Sequence, residues 1–185
     1  MSGPDRDRGF TLVELIVYMA LLGIVLTIAT TLLLNATRTQ STVQGASVAT
    51  STGQLVLTSV KTAVRNSTGL QISDNGKLLI ARVPDGDSWV CQAWYYDASK
   101  GGSVYTTTKA SRSAINTASA GSDWTLLARK AGHGLSSIFA PITTDAPTGA
   151  AVTVNLNMDT SGQEAIALTT TTVPRLFSPE HGTCF

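Results

Sequence analysis

The sequence has few charged side chains, and neither sign dominates. Of 185 residues, 13 are Lys or Arg and 12 are Asp or Glu, so the formal net charge is +1. Residues 66–185 contain eight basic and nine acidic side chains, a net charge of −1. Proteins that bind nucleic acid through its phosphates need a basic footprint. The composition therefore does not support DNA as a partner, and any DNA contact would require a local patch or a different subunit.

Cysteine and histidine are scarce, with two of each, and the motifs of common catalytic sites are missing. There is no H-E-x-x-H, no phosphate-binding G-x-x-x-x-G-K and no G-x-S-x-G. His181 lies three residues before Cys184, but a closed zinc site usually takes four ligands and His133 is the one other histidine. The turn at 159–164 is too short for an EF-hand calcium loop. We therefore predict neither enzymatic activity nor a metal or cofactor.

Against this background, residues Phe10 to Leu34 form an apolar run with a single charged side chain, Glu14. As a helix, these 25 residues would be about 37 Å long, enough to cross a hydrocarbon core of about 30 Å. A secretory signal peptide has a shorter apolar core, followed by a cleavage site of small residues. Because nothing after Leu34 supplies such a site, we predict a retained, single-pass transmembrane segment.

Glu14 is the residue of this run that needs a physical explanation. An ionised acid in hydrocarbon costs a few kcal/mol and is by default a functional residue with a specific partner. The alternative is that its side chain reaches back to the lipid headgroups. Arg6 and Arg8 precede the run and Arg38 follows it, a slight bias, reduced by Asp5 and Asp7, toward a cytoplasmic N-terminus.

The segment Gly9-Phe10-Thr11-Leu12-Val13-Glu14, followed by the apolar run, resembles the processing and assembly signature of the type IV pilin superfamily. That superfamily includes the pseudopilins of type II secretion systems and of competence systems. The resemblance covers about the first 30 residues and has two departures. Many filament-forming pilins have a Pro midway through this segment, whereas here no Pro lies between Pro4 and Pro84. The leader, usually basic in relatives, has no net charge.

The resemblance implies a role for three residues. A membrane-embedded prepilin peptidase would cut after Gly9 and methylate the new N-terminus, Phe10. Glu14 would pair with the N-terminal amine of an adjacent subunit during filament assembly. The implied partners are other pilin subunits, which bind through the N-terminal helix, the prepilin peptidase, the membrane and the pilus assembly platform.

The apolar helix is predicted to continue beyond the membrane-length run. Between residues 43 and 64, small and apolar residues recur at spacings of three and four, as in one stripe of an amphipathic helix: Ala46, Ala49, Gly53, Val56, Val60 and Ala63. Lys61 and Arg65 occupy the last turns, and the polar residues 66–69 provide a stop. A helix from Phe10 to Arg65 would be about 84 Å long.

From Leu70 onward the pattern is that of β-strands separated by turns. Asp74-Asn75-Gly76, Pro84-Asp85-Gly86 and Asp159-Thr160-Ser161-Gly162 are turn signals, and 109–123 reads as a loop. The predicted strands are Lys77 to Val83, Ser88 to Tyr96, Ser103 to Thr108, Trp124 to Arg129, Ile138 to Pro141, Ala151 to Met158 and Ala165 to Val173.

These elements predict an α+β, pilin-like fold, in which a long N-terminal helix packs against an antiparallel β-rich head. The predicted segments are a leader at 1–9, a transmembrane half-helix at 10–34, an amphipathic extension at 35–65 and a globular head at 66–185. Five aromatic residues could form a stacking surface for bases, but strand aromatics more often fill the core: Trp89, Trp94, Tyr95, Tyr96 and Tyr105.

Cys91, in a predicted strand, and Cys184 both follow the transmembrane segment, on its outward side. In an oxidising compartment they are expected to form a disulfide bond. In the chain-entropy model, closing so long a loop contributes about 4.6 kcal/mol to stability.

Three functions are compatible with this reading. The favoured one is a structural subunit, a minor pilin or pseudopilin, that starts in the cytoplasmic membrane with its head outside and ends in a surface pilus or pseudopilus. The first alternative is an anchored adhesin or the DNA-binding tip protein of a competence system. The second alternative is an anchored extracytoplasmic enzyme, which would need a cleft with converging titratable groups.

Overall fold

The N-terminal part of the described chain is one long helix. A computed structural model describes residues 11–110, 115–120, 122–132, 134–142, 151–160, 164–175 and 184. Helix α1 extends from Leu12 to Asn66. This confirms the predicted helix, including its continuation through the Pro-free interval beyond the apolar run. The chain divides into two units, Met1–Val43 and Gln44–Phe185, and α1 contributes to both.

Five antiparallel strands form the larger of two sheets, and each strand pairs with its neighbour in the sequence. They are β1 (Gly69–Ser73), β2 (Leu78–Asp85), β3 (Ser88–Asp97), β4 (Ser103–Ala110) and β5 (Thr125–Arg129). The turn predicted between β1 and β2 is confirmed, since Asp74, Asn75 and Gly76 all have positive φ angles. Strand β1 was not among the strands predicted individually.

The smaller sheet has three antiparallel strands in sequence order, β6 (Phe139–Pro141), β7 (Val152–Met158) and β8 (Ile166–Thr172). The pairing of β7 with β8 confirms the predicted hairpin, although residues 161–163 of its turn lie outside the described residues. Buried and partly exposed residues alternate along β7, as expected for a strand with one face on a core. Together, α1 and the two sheets confirm the predicted α+β class.

The main core lies in the second unit, where the helix stripe packs with residues of both sheets. Five members of the predicted stripe are buried: Ala49, Gly53, Val56, Val60 and Ala63. The sixth, Ala46, is half-buried. A Cβ at Gly53 would overlap with Leu168 Cδ1 and lie 3.1 Å from Met158 Cγ, so glycine lets the β7–β8 hairpin approach the helix closely.

A second, smaller core covers the other face of the five-stranded sheet. Leu78, Ile80 and Ala93 are buried there with Tyr105 and Trp124. Cys91 and Cys184 form the predicted disulfide in the same cluster, with Cα atoms 5.7 Å apart, and both residues are buried. The bond joins Cys184 to strand β3 and holds residue 184 against the sheet.

The Tyr96 hydroxyl links strand β3 to Gly132 and Leu135, which are far from it in the sequence. Its contribution to stability can be tested. The Oη atom lies 2.9 Å from the carbonyl oxygen of Gly132 and 3.0 Å from that of Leu135. Burial, reinforced by the charge of Asp97, raises the pKa of Tyr96, so the hydroxyl stays protonated and able to donate. Tyr96→Phe is expected to lower the free energy of unfolding by about 1–3 kcal/mol, because the buried Gly132 carbonyl and the half-buried Leu135 carbonyl lose the one hydroxyl donor that they share.

Denaturant unfolding followed by Trp fluorescence measures this effect. Tyr95→Phe is the matched control, because Tyr95 is half-buried and its ring packs edge-on against Trp124, with ring centroids 6.1 Å apart. That contact survives loss of the hydroxyl, so the control is expected to change stability by no more than about 0.5 kcal/mol. Equal losses in the two variants would contradict the role assigned to the Tyr96 hydroxyl.

Candidate functional site

Thr11 caps the N-terminus of α1 and thereby positions Glu14. The backbone N–H of Glu14 donates to Thr11 Oγ1 at 3.3 Å, and the N–H of Leu15 donates to the Thr11 carbonyl at 3.2 Å. Thr followed three residues later by Glu is the pattern of a helix-capping box, whose threonine satisfies a backbone donor that the first turn leaves open. We did not predict this cap, although the spacing of Thr11 and Glu14 is its sequence signal.

The Glu14 carboxylate has a hydrogen-bond donor one helical turn further on. Tyr18 Oη donates to Glu14 Oε1 at 3.4 Å, and both side chains are exposed on the helix. Within the described residues, Glu14 forms no ion pair, and the salt bridge between Lys130 and Asp159 lies in the second unit. Gly9 and Phe10, the predicted cleavage and methylation positions, lie outside the described residues.

The helix surface around Glu14 is suited to an apolar environment. In the described part of the chain, α1 is the one helix that is long and apolar enough to cross a membrane, judged by length and composition. Its residues up to Gln40 are all exposed. The hydroxyls of Thr27, Thr30 and Thr31 donate to helix carbonyls three or four residues earlier, at 2.8 Å. These polar side chains therefore satisfy their hydrogen bonds within the helix, as hydrocarbon requires.

Alternative binding sites receive little support from the described residues. Among them, no group of three or more His, Cys, Asp or Glu side chains is placed to hold a metal. His133 and His181 lie outside the described residues, as do positions 161–163 of the turn at 159–164. Asp159 of that turn pairs with Lys130 at 3.3 Å.

The aromatic residues mostly fill the cores rather than a stacking surface. Trp94, Tyr96 and Tyr105 are buried, while Tyr95 is half-buried. Trp89 is also half-buried, and the guanidinium of Arg82 lies 4.6 Å from its ring centroid, as in a cation–π contact. Of the five aromatics considered for base stacking, three are thus enclosed in the fold.

Comparison with known proteins identifies the N-terminal segment. Residues 4–30 match the family described as the prokaryotic N-terminal methylation motif, which is the signature of type IV pilins and pseudopilins. This match confirms the resemblance drawn from Gly9 to Glu14. No curated protein and no solved structure matches the chain. The motif and the apolar helix fit a membrane-anchored, pilin-like protein, and the long helix followed by two antiparallel sheets has a pilin-like layout.

Proposed function

We propose that this chain is a structural subunit, a minor pilin or pseudopilin, that assembles through α1 into a type IV pilus or a related filament. Prepilin peptidase removes residues 1–9 and methylates Phe10, and residues 10–34 hold the precursor in the cytoplasmic membrane. Residues 35–65 extend the helix, and the β-rich head of residues 66–185 lies outside the cell. The observation that carries this proposal is the single carboxylate, Glu14, in a methylation motif at the start of the apolar, membrane-length part of α1.

In this proposal, Glu14 has the oppositely charged partner that an ionised acid in hydrocarbon requires. Cleavage after Gly9 creates an ammonium on Phe10, and an axial stagger between neighbouring helices brings that ammonium to the Glu14 of another subunit. Two opposite charges about 4 Å apart attract far more strongly in a low-dielectric interior than in water. A cation supplied by a neighbouring subunit therefore offsets the cost of the ionised acid in the filament. Outside the filament, where that cation is missing, the ionised acid remains unfavourable in hydrocarbon.

A single buried ion pair also specifies how far one helix is displaced along the next. Apolar helix faces can slide past each other with little change in energy, whereas a charge pair is satisfied at one stagger only. Replacing a buried ion pair by apolar residues is often neutral for stability, and setting register is the best-attested use of such pairs. Glu14 accordingly acts as the register element of assembly.

N-terminal processing is the direct test of this proposal. Mass spectrometry of the exported protein is expected to find a chain that begins at Phe10 and is one methyl group heavier at its N-terminus. Gly9→Leu, which puts a bulky side chain at the residue that matches the family's cleavage position, is expected to leave the full-length precursor in the membrane. An exported wild-type chain that still begins at Met1, or that is cut after Leu34, would contradict the proposal.

A further inference from the structure

Glu14 and Tyr18 lie on one face of the first turns of α1, and Thr11 caps the helix just before them. Glu14 and Tyr18 are four residues apart, which places their side chains one above the other on the helix. Thr11 binds the backbone of Glu14, and Tyr18 Oη binds the side chain of Glu14 at 3.4 Å. The backbone and the carboxylate of Glu14 are therefore each held by a different neighbour.

In hydrocarbon, the contact between Tyr18 and Glu14 benefits both groups. A hydroxyl transferred from water to an apolar environment without a hydrogen bond costs several kcal/mol on alkane scales, and an ionised carboxylate costs more. Hydrogen bonds with an ionised partner are also stronger than neutral ones. The residues that flank Tyr18, Val17 and Met19, offer no hydroxyl, so the phenol is the side-chain donor one turn beyond the acid.

The geometry also leaves one side of the carboxylate open. An ionised carboxylate has two oxygens with about four acceptor sites. Among the described residues, Tyr18 donates to Oε1, and Oε2 remains able to accept from a second donor. We propose that Tyr18 is a positioning residue for Glu14: its hydroxyl stabilises the ionised carboxylate in the membrane and fixes the rotamer in which Oε2 meets the incoming ammonium. The second half of this inference rests on the proposed function, and the first half does not.

A competing explanation is that Tyr18 acts only through its ring, as an amphipathic aromatic near the membrane interface. Tyr18→Phe separates the two explanations, since it removes the hydroxyl and keeps the ring. Thr27→Val is the matched control, because it also removes one hydroxyl from the same apolar run. The Thr27 hydroxyl binds the carbonyl of Gly23 and not the carboxylate.

The experiment labels Glu14 in the full-length precursor in native membranes with dicyclohexylcarbodiimide, an apolar reagent that modifies protonated carboxyls. The modified fraction of the Glu14 peptide is measured by mass spectrometry and normalised to the amount of chain in the membrane. Tyr18→Phe is expected to increase the labelling rate about three- to tenfold, because the ionised form loses a charge-assisted hydrogen bond. Thr27→Val is expected to leave the rate unchanged.

Unchanged labelling of Glu14 in Tyr18→Phe, or an equal increase in Thr27→Val, would overturn the inference. Labelling is measured on the precursor, before any filament forms, so its result does not depend on the assembly role of Glu14. An increase in labelling combined with normal filament incorporation of a Glu14→Ala variant would support the Tyr18 contact and defeat the proposed function. Loss of incorporation in Glu14→Ala with unchanged labelling in Tyr18→Phe would support the proposed function and defeat the role assigned to Tyr18.

Discussion

Glu14→Ala is expected to reduce incorporation of this chain into filaments by a factor of about 100 or more. Removing one partner of a buried ion pair typically costs 3–5 kcal/mol, because the other charge is left buried and uncompensated. Here the uncompensated charge would be the Phe10 ammonium of a neighbouring subunit. The variant keeps the helix start intact, since Thr11 binds the backbone N–H of residue 14 and not its side chain.

The measurement is the ratio of the chain in sheared filaments to the chain in the membrane fraction, determined by quantitative immunoblot. Glu14→Gln tests charge directly, because it preserves side-chain size and is expected to fail nearly as severely as Glu14→Ala. Thr27→Val, in the same apolar run, is expected to assemble normally. N-terminal mass spectrometry on the membrane fraction establishes whether each variant is still cleaved after Gly9.

The same variants discriminate between the assembly role and an adhesin or DNA-binding tip held only by an anchor. If the helix is merely an anchor, Glu14→Ala retains membrane association and ligand binding, and no filament defect appears. Filaments that contain Glu14→Ala at the wild-type level would therefore contradict the assembly role. A deficit confined to the filament fraction, with full membrane retention, would support it.

Removing the disulfide is expected to give the second large effect. In the chain-entropy model, a bond between residues 93 positions apart contributes about 4.6 kcal/mol, so loss of the cross-link in the variant with both Cys91→Ala and Cys184→Ala is expected to cost up to that amount. Cys91 and Cys184 are also packed in the second core with Leu78, Ile80 and Trp124, and their truncation adds a packing loss.

Equilibrium denaturation in detergent, with and without reductant, measures this loss. The double variant is expected to unfold at a lower denaturant concentration and with a steeper dependence on denaturant, because its unfolded chain is no longer compacted by a cross-link. Wild-type protein unfolded and refolded under reducing conditions is the matched control and should approach the double variant. A double variant that unfolds at the wild-type denaturant concentration would rule out a stabilising role for the bond.

Local sequence patterns were sufficient to predict most elements of the fold. The three- and four-residue spacing from Ala49 to Ala63 predicted which helix face is buried, because a helix repeats every 3.6 residues. The Asp74-Asn75-Gly76 segment predicted a turn, because these residue types tolerate the positive φ angles found there. The methylation motif predicted the candidate site, since its residues are contiguous in sequence.

Features that depend on tertiary contacts could not be predicted from local sequence patterns. Strand β1 has five residues and follows a helix stop, so its identity depends on pairing with β2, which no local pattern encodes. The division into two sheets, and the bond from Tyr96 to the Gly132 carbonyl 36 residues away, likewise depend on how the chain returns on itself. Tyr18 was missed for another reason, because an aromatic residue inside an apolar run reads as lipid-facing.

The buried residues of α1 determine where the chain can be shortened for work in solution. Val56, Val60 and Val64 are fully enclosed, so a fragment trimmed back to the strands would uncover the hydrophobic surface these valines now fill and would be prone to precipitate. A soluble crystallisation fragment should instead start near Gln44, at the boundary between the two units. Such a fragment omits the apolar N-terminal part of α1 and keeps Val56, Val60 and Val64.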